Sequence, residues 1–134
     1  MNQDTALTAE RYTLLIESFI DHVVHLVQND VTCSQHASKL SGVISIEIGT
    51  DKIGFAFDNG QITTSRGENV PRPTASIYFM DLETVLHILS GTADVNLCCV
   101  RGTFIIKGYL PLLAIFNPIM GKAFQLTMEG EAVQ

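Results

Sequence analysis

The chain has 134 residues, of which 46% are hydrophobic, and it carries a formal net charge of −6. This length suits a single domain, spanning residues 1–134, that buries a hydrophobic core without needing a disulfide or a structural metal. Because the Lys and Arg residues are few and scattered, we expect no nucleic-acid partner and no strong attraction to anionic lipid surfaces.

Charged residues make up only 16% of the sequence, whereas ordinary soluble domains carry about 25%. More uncharged surface than a minimal core requires is therefore buried or offered to a partner. The longest uncharged run, residues 108–121, is too short to span a bilayer. The cysteines are odd in number and the N-terminal residues show no apolar leader, so we expect reduced thiols and a cytoplasmic location.

Residues 9–28 have the periodicity of an amphipathic helix, with Thr8 as its N-cap and Glu10 in its first turn. The face that we expect to be buried consists of Tyr12, Leu15, Ile16, Phe19, Ile20, Val23, Leu26 and Val27. The polar residues that follow, up to residue 39, are typical of either a loop or a short second helix.

Residues 44–48 and 53–57 switch to the two-residue period of strands, with Ile or Phe at every second position. The pair Asn59-Gly60 is the strongest short hairpin signal, because both residues tolerate a positive φ. The resulting register pairs Phe57 with Ile62 and Phe55 with Thr64 on one face of the sheet.

The second half of the chain predicts two more strands and two more helices. Prolines in residues 71–73 predict a loop, and residues 75–80 and 104–107 predict strands. Asp81 should cap a short helix with an apolar stripe over residues 82–89, ending near Gly91. Asn117-Pro118 predicts the start of the final helix. The sum is an α+β fold, in which helices cover one face of a largely antiparallel sheet.

Four segments in this order form a recognisable pattern. They are Phe55-Ala56-Phe57-Asp58-Asn59-Gly60, Asp81-Leu82-Glu83-Thr84-Val85-Leu86, Ser90-Gly91-Thr92-Ala93-Asp94 and Gly102-Thr103-Phe104-Ile105-Ile106-Lys107-Gly108. They resemble the hairpin, short helix, following turn and last strand of the sterol carrier protein type 2 domain family, over roughly residues 40–120. The chain departs from the family pattern at Tyr109 and Pro111, and residues 131–134 lack the peroxisomal tripeptide of some members.

The resemblance implies a five-stranded sheet whose helix-covered face encloses an apolar tunnel. It implies binding of a fatty acid, acyl thioester, phospholipid or sterol/isoprenoid, by a carrier or by a module that presents lipid to an enzyme. The domain itself would not be catalytic. Our hypothesis for the tunnel lining comprises Phe55, Phe57, Ile77, Phe79, Leu86, Leu89, Phe104, Ile106, Leu112, Leu113, Phe116 and Met120.

The uncharged run at residues 108–121 has two interpretations. It is either a buried core helix or a lid, in which Leu112, Leu113, Phe116 and Met120 cover an apolar cavity. The alternative function to lipid binding is a protein–protein interaction or dimerisation module that uses the same apolar groove. A homodimer and transient contact with a membrane are both compatible with the sequence.

No motif for catalysis or metal binding emerges from the sequence. His22 and His25 lie three positions apart, but the sequence fixes no third ligand, so we do not expect zinc. The adjacent Cys98 and Cys99 are poorly placed for a disulfide with each other. Since no nucleophile–base pair or phosphate-binding loop is recognisable, we expect neither enzyme activity nor a cofactor.

Overall fold

The chain begins with two helices whose apolar residues recur at helical spacing. The computed structural model describes residues 9–89 and 92–133, so the predicted cap Thr8 and the predicted helix end near Gly91 lie outside the described residues. Helix α1 spans Ala9–Asn29 and buries the face that its periodicity predicts. Helix α2 spans Val31–Ser38, which settles the polar segment as a short helix.

Five strands and three further helices follow. They are β1 (Gly42–Ile48), β2 (Asp51–Asp58), β3 (Gln61–Arg66), β4 (Ala75–Phe79), α3 (Leu82–Leu89), α4 (Val95–Arg101), β5 (Phe104–Gly108) and α5 (Leu110–Val133), with a 3₁₀ turn at Gly67–Asn69. Asn59 and Gly60, with φ of 52° and 80°, form the predicted hairpin turn between β2 and β3. Phe57 pairs with Ile62 and Phe55 with Thr64, as predicted.

Aspartates cap three of the helices in the same way. Asp30 Oδ1 accepts a hydrogen bond from the Cys33 N–H at 3.0 Å at the start of α2. Asp81 Oδ1 accepts one from the Thr84 N–H at 2.8 Å at the start of α3. Asp94 caps α4 by the same contact. Each carboxylate satisfies a backbone donor that the first turn of a helix leaves without an intrahelical partner.

The strands form one mixed sheet in the order β3-β2-β1-β4-β5. The only parallel pair in the described sheet is β1 with β4, in which Ile46 lies beside Ile77. The β1–β2, β2–β3 and β4–β5 pairs are antiparallel. The α+β prediction, with a five-stranded and largely antiparallel sheet, is therefore confirmed.

Helices α1, α2 and α5 contact one another, and their buried residues share one core with the isoleucines and phenylalanines of the sheet. Helix α3 contacts β4, and α4 contacts β5. Within the described residues, no helix combines the length and apolar character that crossing a membrane requires.

The prediction that Asn117 and Pro118 begin the last helix is wrong, because α5 already begins at Leu110 and continues through Pro118. Pro111 lies in the first turn, where the backbone N–H that proline lacks has no intrahelical partner anyway. Buried Phe116 and Ile119 hold both sides of Pro118 against the core. Tertiary packing therefore outweighs the cost of an interior proline.

Candidate functional site

On the helix-covered face of the sheet, the aromatic rings of β2, α1 and α5 are closely packed. We name this region the closed half. Phe55 and Phe57 of β2 meet Phe116 of α5 at ring-centroid distances of 5.6 and 5.8 Å. Phe19 of α1 contacts Phe55 at 6.2 Å and stacks on Phe124 of α5 at 4.2 Å. All five rings are buried. Contacts between five rings rigidify this half of the core.

The other half of the same face is less completely covered. On β4 and β5, Ile77 pairs with Ile106 and Phe79 pairs with Phe104, so all four side chains point to the helix-covered face. The Phe79 and Phe104 rings lie 5.2 Å apart and are buried. Ile106, however, is 43% exposed. An apolar side chain on the interior face of an edge strand is thus open to solvent.

The helices around this strand pair contribute further apolar side chains. Helix α3 contacts β4 and carries Leu86 and Ile88, which are partly buried against the core. Helix α5 also contacts β4, and its first buried residues are Leu112 and Leu113. We define the open half as Ile77, Phe79, Leu86, Phe104, Ile106, Leu112 and Leu113. All seven side chains are apolar, and Ile106 opens the set to solvent at the edge of the sheet.

The structure places the predicted lining residues in two groups. Phe55, Phe57 and Phe116 belong to the closed half, and Met120 is buried further along α5. Seven others form the open half. The side chain of Leu89 lies outside the described residues. The lid residues predicted on α5 are buried, and whether they move to admit a ligand stays a prediction.

Sequence reasoning missed a set of exposed apolar residues near β5. They are Met80, Val95, Leu97, Val100, Tyr109 and Leu110. No element was predicted at residues 95–101, where α4 lies. Two signals in the sequence mark this region, namely an aspartate and a glycine that bracket a short apolar run at residues 94–102, and the absence of acidic residues from 95 to 128.

A separate polar cleft of about 350 Å³ lies between α1 and β3. It is lined by Glu17, Ile20, Asp21, Thr64 and Arg66. Arg66 also forms an ion pair, at 3.7 Å, with Asp51, which is not part of the lining. Burial, followed by a hydrogen bond to Asp51, raises the pKa of Tyr12 well above its ordinary value. The charged lining makes this cleft unsuited to an apolar ligand.

The histidines and cysteines take separate positions in the structure. His22 Nδ1 lies 3.1 Å from Thr127 Oγ1 and so joins α1 to α5. In the described part of the chain, no three His, Cys, Asp or Glu residues come together in a way that would hold a metal ion. Cys33 is buried, and burial raises the pKa of its thiol. A thiol with a raised pKa is a poor nucleophile at neutral pH.

Comparison of the sequence with models of protein families and with curated proteins finds no match. Solved structures, in contrast, are similar in fold. The sterol carrier protein domain 2 of Helicoverpa armigera superposes with a TM-score of 0.60 at 13% identity, covering 83% of this chain and 89% of that one. A structure described as the UbiJ-SCP2 ubiquinone synthesis protein has a TM-score of 0.59 at 15% identity, covering 84% and 98%.

A third structure, palmitated SCP2L2 from Aedes aegypti, has a TM-score of 0.54 at 19% identity and covers 78% of this chain and 93% of that one. The chain therefore has the sterol carrier protein 2 fold. The architecture expected from residues 40–120 is confirmed, and the similarity extends over most of the chain.

Proposed function

We propose that this protein is a non-enzymatic lipid-binding or lipid-transfer protein that holds an apolar ligand in the open half. The observation that carries the proposal is the exposure of Ile106 on the interior face of the sheet. A fold shared with sterol carrier proteins, one of them described as palmitated, supports it.

The closed half is not part of the proposed site. Its rings already contact one another, so a ligand there would have to displace packed aromatic side chains. At the open half, a ligand would replace water against Ile106 and extend inward along Phe104 and Phe79. We therefore place the entrance at β5 and narrow the predicted lining to the seven residues of the open half.

The chemistry of the open half favours a fatty acid, an acyl thioester, a phospholipid or a sterol or isoprenoid over a charged solute. Each methylene group buried from water contributes about 0.8 kcal/mol. A dozen buried methylenes contribute about 10 kcal/mol, whereas micromolar affinity requires about 8 kcal/mol. The difference of about 2 kcal/mol is smaller than the free-energy cost of ordering the ligand, so a longer apolar chain or a headgroup contact must supply the rest.

The direct test is native mass spectrometry of the purified protein, followed by organic extraction and mass analysis of what is released. We expect a stoichiometric lipid or, from delipidated protein, saturable uptake of a fluorescent fatty acid. Protein that is purified without bound lipid and that takes up neither fatty acids nor sterols would contradict the proposal. Recovery of an acyl thioester as its hydrolysed products would contradict the non-enzymatic part.

Ile106→Asp tests the location of the site. A carboxylate at the entrance should weaken fatty-acid uptake roughly tenfold or more, because it must be desolvated when the ligand binds. The matched control is Ile105→Asp, one position away on the opposite face of the same strand. Fluorescence titration of both variants should show a loss only for the first. Equal fatty-acid uptake by the two variants would show that the ligand does not bind in the open half.

The alternative is an interaction or dimerisation module that uses the same apolar groove. The exposed residues of α4, among them Leu97 and Val100, are the observation that favours it. Size-exclusion chromatography with light scattering, with and without fatty acid, separates the two. A carrier keeps one mass and gains ligand, whereas a module gives a dimer that excludes ligand.

A further inference from the structure

A row of isoleucines crosses the sheet on its helix-covered face. Ile106 of β5 pairs with Ile77 of β4, which in turn pairs with Ile46 of β1. Ile46 pairs with Ile53 of β2 on its other side. Ile106 is 43% exposed and Ile77 is 5% exposed, whereas the other two are completely buried. We name these four residues the isoleucine row. It is open at the β5 edge and closed at β2.

The residues beside the isoleucine row leave most room at its open end. On one flank, the side chains become larger with distance from the β5 edge. From β5 to β2 they are Gly108, Ala75, Ile44 and Phe55. Glycine is required at residue 108, where φ is 92° and a Cβ would overlap the Thr74 carbonyl oxygen. The floor of the open half therefore narrows inward, from a glycine at the edge to an aromatic ring at β2.

Helix α5 passes over the same narrowing floor. Its first buried residues, Leu112 and Leu113, belong to the open half, and the helix contacts β4. One turn later, Phe116 is completely buried, and its ring meets Phe55 and Phe57 of β2. Three residues advance a helix by about 4.5 Å. Phe116 is therefore the first ring of the closed half that follows the open half along α5, and it meets Phe55 at the narrow end of the floor.

We propose that Phe116 forms the inner end of the lipid site and sets the length of the acyl chain that the site accepts, a role that rests on the proposed function. A chain that enters at Ile106 and follows the isoleucine row crosses three strand spacings before it reaches β2, which is about 14 Å. Bonds of about 1.5 Å that meet at about 111° advance an extended chain by about 1.25 Å per carbon. About twelve carbons therefore fill the distance between the β5 edge and Phe116.

A longer chain would have to displace the Phe116 ring or leave carbons in water. Displacement is unfavourable because the ring is part of a connected set. Phe116 contacts Phe55, Phe55 contacts Phe19, and Phe19 stacks on Phe124. Moving one ring in a close-packed core forfeits contacts that its neighbours also need. We therefore expect the affinity for fatty acids to stop rising at a defined chain length.

A series of saturated fatty acids with about 8 to 18 carbons tests this limit, by displacement of a fluorescent fatty acid below the micelle concentration of each competitor. Wild-type affinity should rise roughly two- to fourfold with each methylene and should stop rising at about twelve carbons. Affinity that rises through the whole series would overturn the length limit but leave the lipid-binding function intact. Absence of binding at every length would overturn both.

Phe116→Ala is the decisive variant. Removing the ring leaves a space at the inner end of the site, so the length at which affinity stops rising should increase by about two to four carbons. Phe116→Leu keeps most of the volume of the core and should increase that length by about one carbon. If Phe116→Ala fails to fold, Phe116→Leu alone decides.

The matched controls are Phe124→Ala and Phe124→Leu, on the same helix just over two turns further from the open half. They remove a ring of the same size, which stacks on Phe19 at 4.2 Å, and should destabilise the core to a similar degree. The preferred chain length should nevertheless stay at the wild-type value. An equal increase in the Phe124 variants, or no increase in the Phe116 variants, would show that Phe116 does not form the inner end and would overturn the proposal.

Discussion

His22 of α1 and Thr127 of α5 add a polar contact to the apolar packing between the two helices. Thr127 is buried, and its hydroxyl donates a hydrogen bond to the Ala123 carbonyl at 2.8 Å. The same oxygen lies 3.1 Å from His22 Nδ1. Since its own hydrogen is directed to the Ala123 carbonyl, this oxygen is available as the acceptor for a ring N–H. His22, considered from the sequence only as a zinc ligand, instead joins two helices.

Thr127→Val should lower the free energy of unfolding by about 1 kcal/mol, because it keeps the shape of the side chain but removes the acceptor for His22. Urea denaturation measures the change. The control is Thr63→Val at an exposed position of β3. If Thr127→Val and His22→Ala have effects that simply add, the two side chains do not interact and this account is wrong.

The ion pair between Asp30 and Lys122 makes stability depend on pH. Lys122 Nζ donates a hydrogen bond to Asp30 Oδ2 at 2.7 Å, and this bond, with a second from the Cys33 N–H, lowers the pKa of Asp30 from 3.8 to about 2. A lowered pKa in the folded state stabilises the protein above the unfolded value. That contribution is lost as the pH falls through the window from 3.8 to about 2.

Asp30→Asn should therefore lower the urea midpoint at neutral pH and make it less sensitive to acid in that window. Asparagine is also a good N-cap, so the variant removes the charge while leaving the start of α2 capped. Lys122→Gln should flatten the same pH dependence from the other side of the pair. Wild-type pH dependence in Lys122→Gln would show that the ion pair does not cause it.

At the scale of elements, the sequence predicts what has a regular apolar face. Helix α1 buries Phe19 and Val23 as its period requires, and β2 buries Phe55 and Phe57 at alternate positions. Helix α4 was missed for the converse reason. None of its side chains is fully buried and only Cys98 packs partly against the core, so its residues show no regular buried face for periodicity to reveal.

Pro118 shows how burial overrides local preference. The sequence rule that proline begins a helix is sound for exposed segments, but here the apolar residues on both sides of it are in the core. Proline at this position removes the N–H that would bond the Ala114 carbonyl. Ala114 is exposed, and an unpaired backbone carbonyl costs less at an exposed residue than in the core.

Pro118→Ala should raise the free energy of unfolding by about 1 to 3 kcal/mol, since it restores a helical hydrogen bond and removes a steric clash. The matched control is Pro111→Ala in the first turn of the same helix, which should change stability by less than about 0.5 kcal/mol. Thermal or urea unfolding decides between them. Equal effects of the two variants would mean that Pro118 does not strain α5.

At the scale of the whole molecule, the net charge does not describe the charge of each part of the surface. The net charge of −6 led us to expect no strong attraction to anionic lipid. The acidic residues are unevenly distributed along the chain, however, since none of the 14 lies in residues 95–128. What a neighbouring surface meets is the charge within a Debye length, about 8 Å at physiological salt, and not the total.

The order of the strands in the sheet could not be predicted from the sequence. Each strand was recognisable from its own residues, whereas the parallel pairing of β1 with β4 joins segments separated by the whole β2–β3 hairpin. No local pattern encodes that pairing. The difference between the open and closed halves likewise depends on how far the helices reach across the assembled sheet. The sequence therefore predicts lining residues but does not predict which half each of them belongs to.

The position of α5 has a consequence for synthesis of the protein. Phe116 and Phe124 complete the ring contacts of Phe55 and Phe19, which are encoded far upstream. While the chain grows on the ribosome, α1 and the first three strands emerge with those rings uncovered. The core closes only after α5 has left the exit tunnel, so folding waits on nearly the full length of the domain. Until then the nascent chain exposes the kind of aromatic surface that chaperones retain.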